Sequence, residues 1–96
     1  MYKIHHQKNA ERDLKDIWLY TYENFGIDQA DRYFDQLEAA MKIIQDNPRI
    51  GVSCGYIRDG YRQFKVNEHA IFYKVTHQTI SVVRVLHESM LAVHHL

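Results

Sequence analysis

A single cysteine, Cys54, is all the thiol chemistry this 96-residue chain holds, so no disulfide can form within it. That suits a reducing compartment and sets the expectation of a cytoplasmic protein. There is no CxxC and no HExxH, so the seven histidines lack a metal-binding frame. His5-His6, His87 and His94-His95 read as exposed histidines near the two ends, and no metal or other cofactor is expected. No serine stands in a GxSxG turn, and Cys54 reads as a loop cysteine without a catalytic task. No apolar run approaches membrane-spanning length, and the N-terminus lacks the apolar region of a signal peptide, so no membrane partner is expected. A surplus of charge is also missing, because 12 basic residues balance 12 acidic ones. Proteins that find nucleic acid by bulk electrostatics need clustered positive charge, so direct nucleic-acid binding is not expected. Repeats, low-complexity tracts and linkers are absent, which implies one domain over residues 1–96.

What is present is a hydrophobic fraction of 46%, rich in tyrosine, arranged in two different periods. Tyr2 and Ile4 alternate in a short N-terminal strand. Asn9 reads as the N-cap of a first helix, with Glu11 and Asp13 in its first turn, where the dipole favours acids. Ala10, Leu14, Ile17, Trp18, Tyr22 and Phe25 recur at spacings of three and four and define its apolar face. Gly26 closes that helix. A second helix spans 28–46 with a stripe of Ala30, Tyr33, Phe34, Leu37, Met41 and Ile44, and Pro48 stops it. Asp28–Arg32 and Glu38–Lys42 form favourable outward pairs four residues apart. The short connection makes the two helices an antiparallel hairpin.

After a loop at 50–55 the period becomes two. Strands are expected at 56–59, 61–66, 70–75 and 80–87, joined by short turns in an antiparallel meander. The helical stripe then covers one face of the sheet, an α+β arrangement of a helical hairpin on an antiparallel sheet. A short amphipathic helix is expected in the tail. The charge is uneven: acids concentrate in 11–46, while 48–74 is mildly basic. Asp13/Asp16 and Asp28/Asp31/Asp35 read as solvated helix faces, with no apolar pocket to separate their pKa values.

The last strand poses the main question. By strict alternation Ile80, Val82, Arg84 and Leu86 share one face, and Ser81, Val83, Val85 and His87 the other. Both faces are largely apolar, and one of them is left over when the helices have taken theirs. Either Arg84 snorkels from an edge position, or the second face is a working surface where another chain docks.

Three stretches, "DLKDIWLYTYENFGIDQADRYFDQL", "NPRIGVSCGYIRDGYRQFKVNEHAIFYKV" and "ISVVRVLHESM", carry more than periodicity does. In this order and spacing they resemble the ParE branch of the RelE/ParE toxin superfamily. The resemblance implies a helical hairpin packed on a curved antiparallel sheet. It implies the toxin of a type II toxin–antitoxin module, of the kind that stabilises plasmids. DNA gyrase is the implied target, and a ParD-like antitoxin the implied partner. Arg58, Arg62, Arg84, His87 and Met90 are then expected to contact the target. Trp18, Tyr22, Phe34, Leu37, Phe72 and Val83 are expected to contact the antitoxin. The other branch cuts mRNA on the ribosome. If this chain did so, Arg62 and Arg84 would stabilise transition-state charge and His87 would move protons. However, Ala70 stands where that branch commonly carries a basic residue. The catalytic set is therefore incomplete, and a protein-binding toxin without catalytic residues is the favoured expectation. Ser89 and Leu91 stand where ParE-like endings often carry arginine and aspartate on either side of the methionine.

Overall fold

A computed structural model describes residues 1–96. The chain opens with β1 (Lys3–His6) and continues through α1 (Lys8–Phe25) and α2 (Ile27–Asp46). It then runs through β2 (Val52–Ser53), β3 (Tyr61–Val66), β4 (His69–Thr76) and β5 (Thr79–His87). One 3-10 turn, Ala92–His94, is the only helix in the tail.

Gln7, not Asn9, caps α1, because the strand β1 hands its chain to the helix two residues earlier than the capping preference suggests. Gly26 separates the helices with φ of 91°, a left-handed-side backbone that only glycine adopts without strain. Asn47 follows α2 in an extended conformation, as the residue before a proline must. The outward pairs Asp28–Arg32 and Glu38–Lys42 do not close; Arg32 instead donates a hydrogen bond to Gln29. Exposed pairs of that kind gain little over water, so other contacts win.

The five strands form one sheet in the order β1-β5-β4-β3-β2. The meander β2 to β5 is antiparallel, but β1 runs parallel to β5, with Ile4 beside Ile80. The expectation of a purely antiparallel sheet is corrected to a mixed one. The hairpin carries the chain across the sheet to its far edge, and four successive strands bring it back alongside β1. The expected strand at 56–59 is a turn; the edge strand is the shorter Val52–Ser53. The β3–β4 and β4–β5 turns use two residues each, and Asn67 and His77 lead them with positive φ.

Strict alternation fails in β5. Phe72 pairs with Arg84, yet the next residue, Tyr73, pairs with Val82, so Val83 is an extra residue in a bulge. Ile80 and Val82 therefore face the helices, and beyond the bulge Val85 does so too, while Leu86 faces the other way. The inner core joins Ala10, Leu37, Ala40, Met41 and Ile44 of the helices to Ile71, Tyr73, Ile80, Val82 and Val85 of the sheet. Full burial of a residue such as Leu37 or Ile44 contributes about 2 kcal/mol.

The outer face carries a smaller cluster of Cys54, Ala70, Phe72 and Leu86. It is covered by Ile57 and Tyr61 and by Ala92 and Leu96 of the tail. The leftover face of the sheet is thus largely sealed by this chain itself.

Candidate functional site

Where β1 ends at His6, α1 passes over the open edge of β5 and leaves a groove of about 880 Å³. The hairpin lines it with Asp16, Ile17, Tyr20 and Phe25, the β3–β4 turn with Glu68, and the sheet with His69, Val85 and His87; Met90 also lines it. Tyr20 and Phe25 are 64% and 69% exposed. Thr21, their neighbour on α1, is buried and turns its hydroxyl back to the Ile17 carbonyl. Asp16 and Glu68 line the groove beside Asp13, whose charge Arg84 meets, and no lysine or arginine lines it. The site therefore repels a phosphate and attracts a cation on an apolar segment.

A ring of polar contacts organises the groove floor. Tyr33 of α2 places its hydroxyl 2.5 Å from Nδ1 of His69 at the start of β4. His69 and His87 are cross-strand partners whose rings meet edge to face, with centroids 5.2 Å apart. His87 in turn has its Nδ1 2.8 Å from the Ser89 hydroxyl and its Nε2 3.7 Å from the Glu68 carboxylate. Burial, then the neighbouring His87, holds His69 below the ordinary imidazole range, so its ring is neutral at pH 7. Burial pushes the Tyr33 hydroxyl upward, which keeps it a neutral donor.

Arg84 does not bathe in water. Its Nε and Nη2 donate to the two carboxylate oxygens of Asp13 at 2.7 and 2.9 Å, and its Nη1 donates to the His95 carbonyl at 3.2 Å. The same carboxylate accepts the Val85 N–H at 3.0 Å. Asp13 thus takes the place of a strand partner where β1 has ended. The pair is largely buried, with side-chain exposures of 17% and 13%. The hydrogen bonds from Arg84 to Asp13 raise the arginine's already high pKa further. Asp13 is therefore corrected from a solvated helix face to a structural anchor. Its partner lies 71 positions away, and no local pattern could announce it.

The other two arginines are also engaged. Arg62 donates to the Gly51 carbonyl at 2.8 Å and at longer range to that of Arg49, holding the loop after Pro48. Arg58 donates to the Leu96 carbonyl at 3.3 Å. No cluster of metal-binding side chains exists. His6 is half-buried with its Nε2 3.0 Å from the Met41 sulfur, which corrects its reading as an exposed histidine; burial lowers its pKa.

A protein-family model described as the ParE toxin of the type II toxin–antitoxin system, parDE, matches residues 4–92. This chain belongs to the ParE toxin family. It is similar to Toxin ParE1 of Mycobacterium tuberculosis (strain ATCC 25618 / H37Rv), with 46% identity over 82 residues, 84% of either chain. It is similar to Toxin ParE1 of Caulobacter vibrioides, with 37% identity over 89 residues, covering 93% of this chain and 92% of that one. Its fold matches a solved structure titled "Chromosomal ParDE TA system from P. aeruginosa" with a TM-score of 0.80. That match covers 91% of this chain and 96% of the other at 17% identity.

On this ParE fold the residues expected from the sequence scatter. Of the target set, His87 and Met90 line the groove, whereas Arg58 and Arg84 hold the tail and Arg62 holds a loop. Of the antitoxin set, Leu37, Phe72 and Val83 are buried by the chain's own packing and offer no surface, a correction with a plain cause: they sit in the two cores or in the bulge. Trp18 and Tyr22 stack on each other at 5.3 Å, and Trp18 donates to Asp31, tying the helices together. Phe34 lines a smaller groove of about 400 Å³ beside Ile4, Leu14 and Met41. Asp16, read from the sequence as a solvated helix face, and Tyr20, which the sequence reading does not single out, line the large groove; nothing in a helical period separates a solvated face from one that meets a partner. Phe25 belongs to the apolar stripe by its spacing, yet it is exposed and lines the groove.

Proposed function

We propose that this ParE-family chain is the toxin of its module, that it poisons DNA gyrase in the cytoplasm, and that a ParD-like antitoxin neutralises it from the large groove. The observation that carries this reading is the groove itself, an acidic, aromatic-rimmed trough with no cation in its lining. A segment with apolar anchors and a basic side chain fits it; an RNA backbone does not. The state of the arginines points the same way. Phosphoryl chemistry on RNA needs free cations at the phosphate, and here Arg84 is neutralised by Asp13 while Arg62 is spent on loop carbonyls. His87 and Met90 belong both to the groove and to the expected target surface, so an antitoxin seated there masks part of what the target touches.

The test uses purified chain and gyrase. Supercoiling slows and double-strand cleavage complexes accumulate as toxin is added, and stoichiometric antitoxin restores supercoiling. Undiminished supercoiling at excess toxin rejects the gyrase reading. In cells, mRNA cut within translated codons would transfer the assignment to the ribonuclease branch.

A further inference from the structure

Arg84 of β5 links α1 to the C-terminal tail. Two of its nitrogens are committed to Asp13 on α1, at the groove, and the remaining one reaches the His95 carbonyl in the tail. Arg58 grips the tail a second time at Leu96. Between these anchors Ala92 and Leu96 pack against the outer cluster of Cys54, Ala70, Phe72 and Leu86, in which Cys54 has no exposure. The rest of the tail has little hold: it contains one 3-10 turn, and Leu91 and Val93 are 64% and 63% exposed.

We propose that Asp13 is a positioning residue for the tail: by clamping Arg84 it aims the third guanidinium nitrogen at His95, and so couples the groove to the strap that closes the outer face of the sheet. The guanidinium is planar, so fixing Nε and Nη2 on one carboxylate fixes the direction of Nη1. A lone arginine side chain would spread over many rotamers and hold the strap weakly. The coupling is reciprocal, as any linkage between two binding equilibria must be. Releasing the tail frees Arg84 to move and weakens Asp13's hold on the Val85 N–H. The use of this device rests on the reading above, in which the antitoxin occupies the groove and Met90, where the tail begins, belongs to the target surface: the position of the tail is then set from inside the antitoxin's seat.

Cys54 is the sole thiol and belongs to the buried cluster that the strap packs against, so its reaction with an aromatic disulfide reagent reports opening of that cluster when the tail leaves. Asp13→Asn keeps the shape and loses the charged clamp; labelling of Cys54 is expected to speed up about tenfold, the loss of one charge-assisted hydrogen bond. Arg58→Ala removes the second anchor without touching the core and speeds labelling about threefold. Leu96→Asp drives the tail off and marks the open limit. In that variant the Val85 amide exchanges with solvent faster, by about threefold, which a purely local role for the tail would not produce. Labelling of Asp13→Asn at the wild-type rate, with Leu96→Asp fast, overturns the coupling. Wild-type labelling of Leu96→Asp overturns the strap itself. Should Asp13→Asn unfold, labelling that tracks denaturant identifies it, and Arg58→Ala together with the Val85 amide then decides. The chain is tested alone, without gyrase or antitoxin, so failure here leaves the toxin reading intact, and a failed supercoiling assay leaves the latch intact.

Discussion

Tyr73 serves two backbone groups with one hydroxyl. It donates to the Pro48 carbonyl at 2.7 Å and accepts the Gly51 N–H at 2.9 Å. The ring is fully buried in the inner core, so the loop between α2 and β2 is moored from below. A side chain at position 51 would begin 2.5 Å from that hydroxyl, which is why the loop needs glycine there. Burial raises the Tyr73 pKa and keeps the phenol protonated. Tyr73→Phe preserves the packing but strands a buried N–H and a carbonyl. We expect a loss of about 2 kcal/mol, seen as a drop in Tm of about 10 °C in a thermal melt. An unchanged Tm would mean that water replaces the hydroxyl. The motif "NPRIG" and the tyrosine of "IFY" are both visible in the sequence, but their bond is not, because 25 residues separate Tyr73 from Pro48.

At the scale of elements, α2 is tied to the start of β4 by the Tyr33–His69 hydrogen bond. Burial and the facing His87 lower the His69 pKa below the ordinary 6.5, with Glu68, Asp13 and Glu88 opposing more weakly. His6, against Met41, is lowered as well. In both cases the unfolded chain binds a proton more readily than the folded one. Stability is therefore full above about pH 6.5 and falls as pH drops below it, until the folded rings titrate too. We expect Tm to fall by about 5 °C between pH 7.5 and pH 5.5, and His69→Phe to flatten that slope while His6 retains its share. An equal slope in His69→Phe would exclude this histidine as a source. Helix and strand positions follow from the two apolar periods, and β3, β4 and β5 match expectation to within about a residue. The parallel placement of β1 and the bulge at Val83 do not follow, since pairing across the chain and an inserted residue leave the local period unchanged until the partner strand is known.

The molecule as a whole is electrically neutral, yet its charge is sorted: acids gather at the groove, while arginines are spent on its own tail and loop. This sorting, rather than net charge, selects the partner. Phe25 is 69% exposed at the end of α1, so Phe25→Asp removes an apolar anchor and adds a further acid without disturbing the core. We expect a weaker hold on the antitoxin, about 30-fold in Kd by calorimetry, with Tm within about 3 °C of wild type. Unaltered affinity would move the antitoxin's seat elsewhere.

The apolar periods, the turn residues and the motif order determined by themselves that two helices pack on a sheet and that the chain is ParE-like, because those signals are local or repeat along the backbone. Which face is free, which arginine is available and where the groove lies were decided only by tertiary structure. A bulge reset the faces of β5, a carboxylate from α1 claimed Arg84, and the tail folded back against the outer cluster. Each of those outcomes is a contact between residues far apart in the chain, and such a contact leaves no trace in either partner's immediate neighbours.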